Sequence, residues 1–246
     1  MFNNLFINGI SIRSKADQNS YVFDLPVVRN LIKMERLEID HQVTFFVGEN
    51  GTGKSTLLEA IAVAYGFNAE GGTRNFNFST EQTHSDLYRH LIVSKGVQRP
   101  DDGFFLRAES FYNLASEIDK LDQIDPLLNY YGGRSLHAQS HGESFLSLVL
   151  NRFSGNGVYI LDEPEAALSP SRQMTLLAAI DSLVKNKSQF LIATHSPILM
   201  SYPGAAILML EEDDICLTPY QETEHFLLTK QFLNNPQKML KYLLDD

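Results

Sequence analysis

The sequence predicts an α/β fold built on a mainly parallel sheet, with an antiparallel β portion at the N-terminus and an inserted helical lobe. Three observations predict it. A short apolar run, Val43–Val47, stops at a glycine and is followed by a segment with helical spacing. From Gly142 onward, apolar runs alternate with helix-length amphipathic stretches. Between these two parts the texture turns polar and glycine-containing. Regular alternation of strand and helix is the pattern of parallel α/β sheets.

In chain order, residues 2–12 and 19–28 read as strands, the N-terminal antiparallel portion. Val43–Val47 reads as a buried strand and Lys54–Tyr65 as a helix, because Leu57, Leu58, Ile61, Ala62 and Tyr65 share one face. The inserted lobe spans about 67–140, with a strand at Gly103–Ala108 and a helical stretch near Asn113–Leu128. After it come helix Gly142–Phe153, strand Val158–Leu161, helix Ser171–Lys185, strand Gln189–Ala193, short helix Ile198–Ser201, strand Ala205–Leu210 and an edge strand Ile215–Thr218. Glu222–Leu244 reads as two short helices split by Asn234-Asn235-Pro236, a tail of about 222–246 expected to pack on the outside. The 246 residues suit one domain rather than two.

Composition narrows the function. No apolar run approaches the roughly 20 residues that cross a bilayer, and the N-terminus lacks a basic-then-apolar leader pattern, which predicts a cytoplasmic protein. Cys216 is the single cysteine, so an internal disulfide is excluded and a thiolate zinc site is disfavoured. The net charge of −10 argues against a generally DNA-coating surface. Half of that excess lies after residue 210, where eight acids face three lysines.

Gly48-Glu49-Asn50-Gly51-Thr52-Gly53-Lys54-Ser55 fits G-x-x-x-x-G-K-[ST] and lies between an apolar strand and a helix, the context in which such a loop cradles phosphates. Lys54 would reach the β- and γ-phosphates and Ser55 would place its hydroxyl on Mg²⁺. The helix N-terminus that opens at Lys54, with Thr56 in its first turn, offers free N–H groups to an anion. Val158-Tyr159-Ile160-Leu161-Asp162-Glu163 ends an apolar strand in two carboxylates. Asp162 would hold Mg²⁺ through a water and Glu163 would polarise the attacking water.

With these motifs on the page the chain resembles the ABC-type ATPases over most of its length, and in particular small stand-alone bacterial "AAA family" ATPases of the non-transport, SMC/RecF-like branch. It shares their GENGTGKSTLLEAIA, FFLRAESFYN, YGGRSLHAQSHGESF, YILDEPEAALSP and THSPILM stretches. The resemblance implies that Gln139-Ser140-His141-Gly142-Glu143 is a degenerate signature, in which Ser140, Gly142 and Glu143 cap the γ-phosphate of the opposite subunit. The same four residues from Ser140 to Glu143 also form a helix-capping pattern, and the two roles are compatible. It further implies a D-loop at Glu165–Pro170, with Ser169 where transport ATPases carry aspartate, and a switch histidine at His195. Glu109, in place of a glutamine, is the Q-loop candidate for contact with Mg²⁺, with Arg107 as the alternative important residue. Tyr21 and Phe23 are adenine candidates by position.

The expected function is therefore ATP binding and hydrolysis, with ATP and Mg²⁺ as cofactors. An ATP-dependent head-to-tail homodimer would switch an effector or nucleic-acid-binding surface. Arg29, Lys33 and Arg36, with Arg89, Lys95, Arg99 and Arg107, are the candidate phosphate contacts for nucleic acid, against an ordinary solvated surface because acids intersperse both segments. The alternatives are the ATP-hydrolysing subunit of a membrane transporter, disfavoured by Ser169 and the degenerate signature, and a nucleotide-gated scaffold, disfavoured by Glu163.

Overall fold

The computed structural model describes residues 5–13, 20–73, 85–123 and 126–244. Its strands are β1 (Ile7–Ile12), β2 (Leu37–Glu38), β3 (Val43–Val47), β4 (Leu91–Lys95), β5 (Asp102–Arg107), β6 (Gly157–Asp162), β7 (Gln189–Ala193), β8 (Ala206–Leu210) and β9 (Ile215–Leu217). The helices are α1 (Pro26–Met34), α2 (Lys54–Tyr65), α3 (Leu87–His90), α4 (Phe111–Asp122), α5 (His141–Arg152), α6 (Pro170–Lys185), α7 (Pro197–Met200), α8 (Glu224–Asn234) and α9 (Pro236–Leu244).

Six strands form the main sheet in the order β5-β6-β7-β3-β8-β9, parallel except for the antiparallel β9 at its edge. Both faces of the central strands are buried, which is why β3 and β7 read as unbroken apolar runs instead of alternating ones. The period of two still sorts them. Phe46, Ile160, Leu191 and Leu208 point into a core shared with α1, α2 and β1. Phe45, Val47, Leu161 and Ile192 point into a second core shared with α4, α5, α6 and α7.

A second, three-stranded antiparallel sheet, β2-β1-β4, covers the first core. Gln189, buried at the start of β7, ties the two sheets together. Its Oε1 accepts from the amides of Phe6 and Ile7, each at 2.9 Å, and its Nε2 donates to the Ile7 carbonyl at 2.7 Å. One side chain thus satisfies three buried backbone groups that would otherwise each cost about 1–3 kcal/mol.

Two expectations are corrected. Residues 20–28 are not a strand: Tyr21–Asp24 is a 3₁₀ turn and α1 begins at Pro26. The Ser20 side chain accepts from the Val22 amide, Pro26 sits at the first helical position, and Val27, Val28 and Leu31 bury one helical stripe. Residues 2–4 and 19 of the two expected strands lie outside the described residues. Nor does 67–140 stand apart as a lobe throughout, because β4 pairs with β1 in the small sheet and β5 is the edge strand of the main one. Within that span, the described elements outside both sheets after β5 are α4 and the short turns from Leu128 to Ala138.

The tail helices α8 and α9 have no fully buried side chain, in keeping with an outer position. At its start, however, α8 reaches the candidate site. Among the described residues no helix is long and apolar enough to cross a membrane.

Candidate active site

The parallel strands β3, β6 and β7 are neighbours, and the segments leaving their C-terminal ends converge, the usual position of a site in an open α/β sheet. From β3 comes the glycine loop. Gly48 has φ 156°, and a Cβ there would stand 2.4 Å from the Leu210 carbonyl oxygen at the end of β8, so the loop can fold over the sheet edge only without a side chain. Gly53 has φ 96°, in the left-handed region, and a Cβ would meet Val27 at 2.6 Å. The loop is thereby pressed against α1, whose Val27 amide donates to the Thr52 carbonyl at 3.2 Å.

Gly53 caps α2 without a side-chain hydrogen bond, leaving the first amides of a twelve-residue helix for an anion. Lys54 is buried at 5% exposure, and its ammonium donates to the loop's own carbonyls at Gly48 (2.7 Å) and Glu49 (2.8 Å). Burial pushes its pKa down, and Glu163, Asp162 and Glu165 hold it up in part. The ammonium is thus held in place by weak carbonyl acceptors which a phosphate oxygen would outcompete. Glu49, Asn50 and Gly51 form the exposed crest of the loop, whereas Thr52 folds back to donate from its hydroxyl to the Glu49 carbonyl at 2.9 Å.

From β6 come Asp162 and Glu163. Burial raises the Asp162 pKa to about 6, against the pull of Arg107 and of a hydrogen bond from the Ser55 side chain. Its Oδ1 is buried and has no hydrogen-bond partner. An unpartnered carboxylate oxygen beside a serine hydroxyl fits the hard oxygen donor set of a hydrated Mg²⁺. Glu163 has φ 50°, left-handed for a residue with a side chain, at a cost of about 1–3 kcal/mol. The carboxylate is 41% exposed and faces His195, Oε1 to Nε2 at 3.8 Å.

His195, leaving β7, is fixed on three sides: its amide donates to Glu165 Oε1 at 2.5 Å, its Nδ1 lies 3.1 Å from His225 Nε2 on α8, and its Nε2 faces Glu163. Burial, then Lys54 and His225, lower its pKa, so the ring is held neutral. The 3₁₀ turn Pro164–Ala167 that carries Glu165 continues into Leu168 and Ser169. The buried Gln173 donates to the Leu168 carbonyl at 3.0 Å and accepts from the Ser196 hydroxyl at 2.5 Å, coupling this turn to the residue after His195.

Ser140, Gly142 and Glu143 are not gathered with this group. They form the N-terminus of α5, where the Ser140 amide and hydroxyl both donate to Glu143 Oε2, at 3.0 and 2.7 Å. Arg172 closes the turn with a contact to Glu143 Oε1 at 3.2 Å. A Cβ at Gly142 would stand 2.7 Å from the Ala167 carbonyl, so the turn that leads from Glu163 touches this helix start.

Arg107, at the end of β5, is a hub. It bonds Glu59 of α2 at 2.7 Å and Glu109 at 3.1 Å, and its Nε lies 3.6 Å from Asp162. With its side chain 19% exposed and three carboxylates around it, Arg107 is an internal charge, which corrects its assignment as a surface contact for nucleic acid. Glu109 is 83% exposed and bends toward Arg107. Arg29 pairs with Glu212, Lys33 with Asp213 and Arg36 with Glu38, so the basic stretch 29–36 is matched by acids. Phe23 packs inward on His90, centroids 5.1 Å apart, whereas Tyr21 is 63% exposed.

Sequence reasoning missed Glu59 and His225. Glu59 lies 48 residues before Arg107, and His225 lies 30 residues after His195 in a tail with no motif. A polar Glu59 on the apolar side of α2 was the one available signal.

The sheet order, the glycine loop and the paired carboxylates together make this an α/β fold of P-loop NTPase type. Comparison with known families agrees. Residues 98–201 match the family described as "AAA domain, putative AbiEii toxin, Type IV TA system" and residues 28–97 match a family described as "AAA domain". Among curated proteins, the tyrosine transport ATP-binding protein of Clostridioides difficile (strain R20291) is 25% identical over 243 residues, covering 89% of this chain and 94% of that protein. The "Probable ATP-dependent transporter ycf16" of Cyanidium caldarium is 28% identical over 219 residues, covering 76% and 85%. Among solved structures, the SMC head domain from Thermotoga maritima aligns at TM-score 0.43 and 13% identity, over 87% of this chain and 99% of that one.

Proposed function

We propose that the chain binds and hydrolyses ATP, and that the cycle pairs two copies head-to-tail to switch a surface for an effector or a nucleic acid. The observation that supports this is the convergence of Lys54, Ser55, Asp162, Glu163 and His195 at the ends of three adjacent parallel strands. In this reading the loop amides and Lys54 hold the β- and γ-phosphates, and the carbonyls of Gly48 and Glu49 release the ammonium to them. Glu163 holds and polarises the attacking water, and His195 Nε2, 3.8 Å from that carboxylate, meets the γ-phosphate. Ser55 and Asp162 would hold Mg²⁺, which supplies charge neutralisation at the phosphates when bound. Glu109 orients Arg107 toward Asp162.

Ser140 and Glu143 bond to each other and Glu143 to Arg172, and Gly142 lies between them, which supports a role for this helix start on the nucleotide of a second copy. The test is size-exclusion light scattering of Glu163→Gln with and without MgATP, repeated with duplex DNA. The expected result is an ATP-dependent dimer. A monomer under every condition removes the pairing, and wild-type hydrolysis by this variant removes Glu163 as the base.

The curated relatives support a second reading, the ATP-binding subunit of a transporter, since those named above are described in transport terms. Expression with and without candidate membrane partners, followed by membrane flotation, separates the two. Cofractionation with membranes in the absence of nucleic acid would favour the transporter subunit.

A further inference from the structure

The C-terminal helix α8 contributes a side chain to the site. Thr223, fully buried, caps the helix by accepting the Phe226 amide at 3.3 Å, and this places His225 two positions into the first turn. His225 Nε2 then lies 3.1 Å from His195 Nδ1, with the ring centroids 5.3 Å apart. His225 Nδ1 and His195 Nε2 are both buried and have no hydrogen-bond partner.

Two neutral imidazoles in contact share one bridging proton, and its direction fixes both tautomers. If His195 donated, its Nε2 would present a bare lone pair to the Glu163 carboxylate 3.8 Å away, an unfavourable arrangement. If His225 donates, His195 carries its proton on Nε2, aimed at Glu163, as a donor to whatever sits between them.

Resting on the hydrolytic reading above, we propose that His225 is a positioning residue: its Nε2–H donates to His195 Nδ1 and holds His195 in the Nε2–H tautomer, so that the strand-end histidine faces the reacting phosphate as a donor. The tail is in that sense part of the site.

The surroundings agree. His195 is faced by Lys54 from α2, by Glu163 and Glu165 from the segment after β6, and by His225 from α8. His225 is faced in addition by Glu224 of its own helix and by Glu49 of the loop. Burial lowers the pKa of both rings, and Lys54 adds to the effect on each. The start of α8 also disfavours a cation. Both rings therefore stay neutral, the condition under which a single bridging proton selects a tautomer.

Three substitutions separate donation from packing. In His225→Gln the amide retains a donor at the Nε2 position; in His225→Leu there is none; in His225→Glu an acceptor demands the opposite tautomer. Two readouts apply to the full chain. Long-range ¹H–¹⁵N correlation, assigned against His195→Gln, reports the tautomer of His195 without any turnover. Steady-state ATPase kinetics report kcat and KM.

The expected result is a protonated Nε2 on His195 in wild type and in His225→Gln, and a shift toward protonated Nδ1 in His225→Glu. For His225→Leu we expect a kcat lower by about tenfold, the factor one buried hydrogen bond carries, with KM changed less than about twofold and with His225→Gln restoring most of the rate. A protonated Nδ1 on His195 in wild type, or a tautomer indifferent to all three substitutions, overturns the proposal. If wild type shows no ATPase activity, the hydrolytic reading fails, and the tautomer measurement alone decides this one.

Discussion

The phosphate loop and the start of α5 are both glycine-bearing turns that open helices, yet they are finished to different degrees. In the loop, Gly48 and Gly53 take backbone geometry that a side chain would forbid, α2 begins without a side-chain cap, and Lys54 is buried against weak acceptors. Uncapped amides and a desolvated cation are costs to the empty protein that an anionic ligand would remove. At α5 the corresponding groups are consumed internally: Ser140 gives both its donors to Glu143, and Arg172 seals the carboxylate. The first turn is built to receive, and the second is closed until something displaces Glu143. One chain therefore presents one open half and one closed half, which is the asymmetry expected if the second half acts only on another copy.

The largest effect that tests this contrast is at Lys54. Lys54→Ala removes the buried ammonium, and calorimetric titration should show nucleotide affinity weaker by at least about 100-fold, the two charge-assisted contacts being worth roughly 3 kcal/mol or more. Unchanged affinity would mean that the open half is not a phosphate site.

Next is Glu163→Gln, which leaves the backbone path in place and removes the proposed base. We expect kcat lower by about 100-fold or more with nucleotide binding retained, measured by single-turnover hydrolysis. A variant as fast as wild type would move the base elsewhere, Glu165 being the adjacent buried carboxylate.

Asp162→Asn sharpens the idea that the empty site carries a cost. The folded-state pKa of Asp162, about 6, lies above its ordinary value of 3.8, so its contribution to stability is fully present below about pH 4 and is lost as pH rises through 6. The asparagine variant should therefore be more stable than wild type at pH 7.5 in EDTA, by at most about 3 kcal/mol, and the gap should close on titration to pH 4. An equal gap at both pH values would mean that the carboxylate is not held against its charge.

The smallest effects belong to the closed half. Ser140→Ala should cost the monomer about 1 kcal/mol by denaturant unfolding, an ordinary capping loss. Within the proposed pairing it should raise the ATP concentration needed for dimerisation by about tenfold in the Glu163→Gln background, read by light scattering. A pairing midpoint that follows only the stability loss would leave Ser140 as a helix cap and nothing more.

Where the chain carries backbone-determined chemistry, the sequence was easy to read. β3 and α2 fall at the expected residues because an apolar run, a glycine motif and a helical stripe each specify the same boundary. The 20–28 segment misled because Tyr21, Val22 and Phe23 are β-formers, and the local cap at Ser20 and the proline at 26 outweigh that propensity. β4 escaped because its meaning is long-range: Leu91–Lys95 becomes a strand by pairing with β1, some 80 residues earlier, and its burial pattern does not alternate cleanly. The candidate site followed the same rule. Lys54 at a helix start and Asp162, Glu163 and His195 at or just after strand ends could be picked out as candidates, whereas Glu59 and His225 are marked only by partners far along the chain.

The hub at Arg107 also bears on motion. β5 is an edge strand, and edge strands ordinarily fray first, their amides exchanging with solvent through small openings. Arg107 ties its last residue to Glu59 in the middle of α2, and Glu59 in turn accepts the Ser85 amide at 2.9 Å. Opening this end of β5 means stranding a buried carboxylate, so its amides should exchange as slowly as those of β6 beside it. At β5 the sheet thus has an edge that should open only together with the helix that follows the glycine loop.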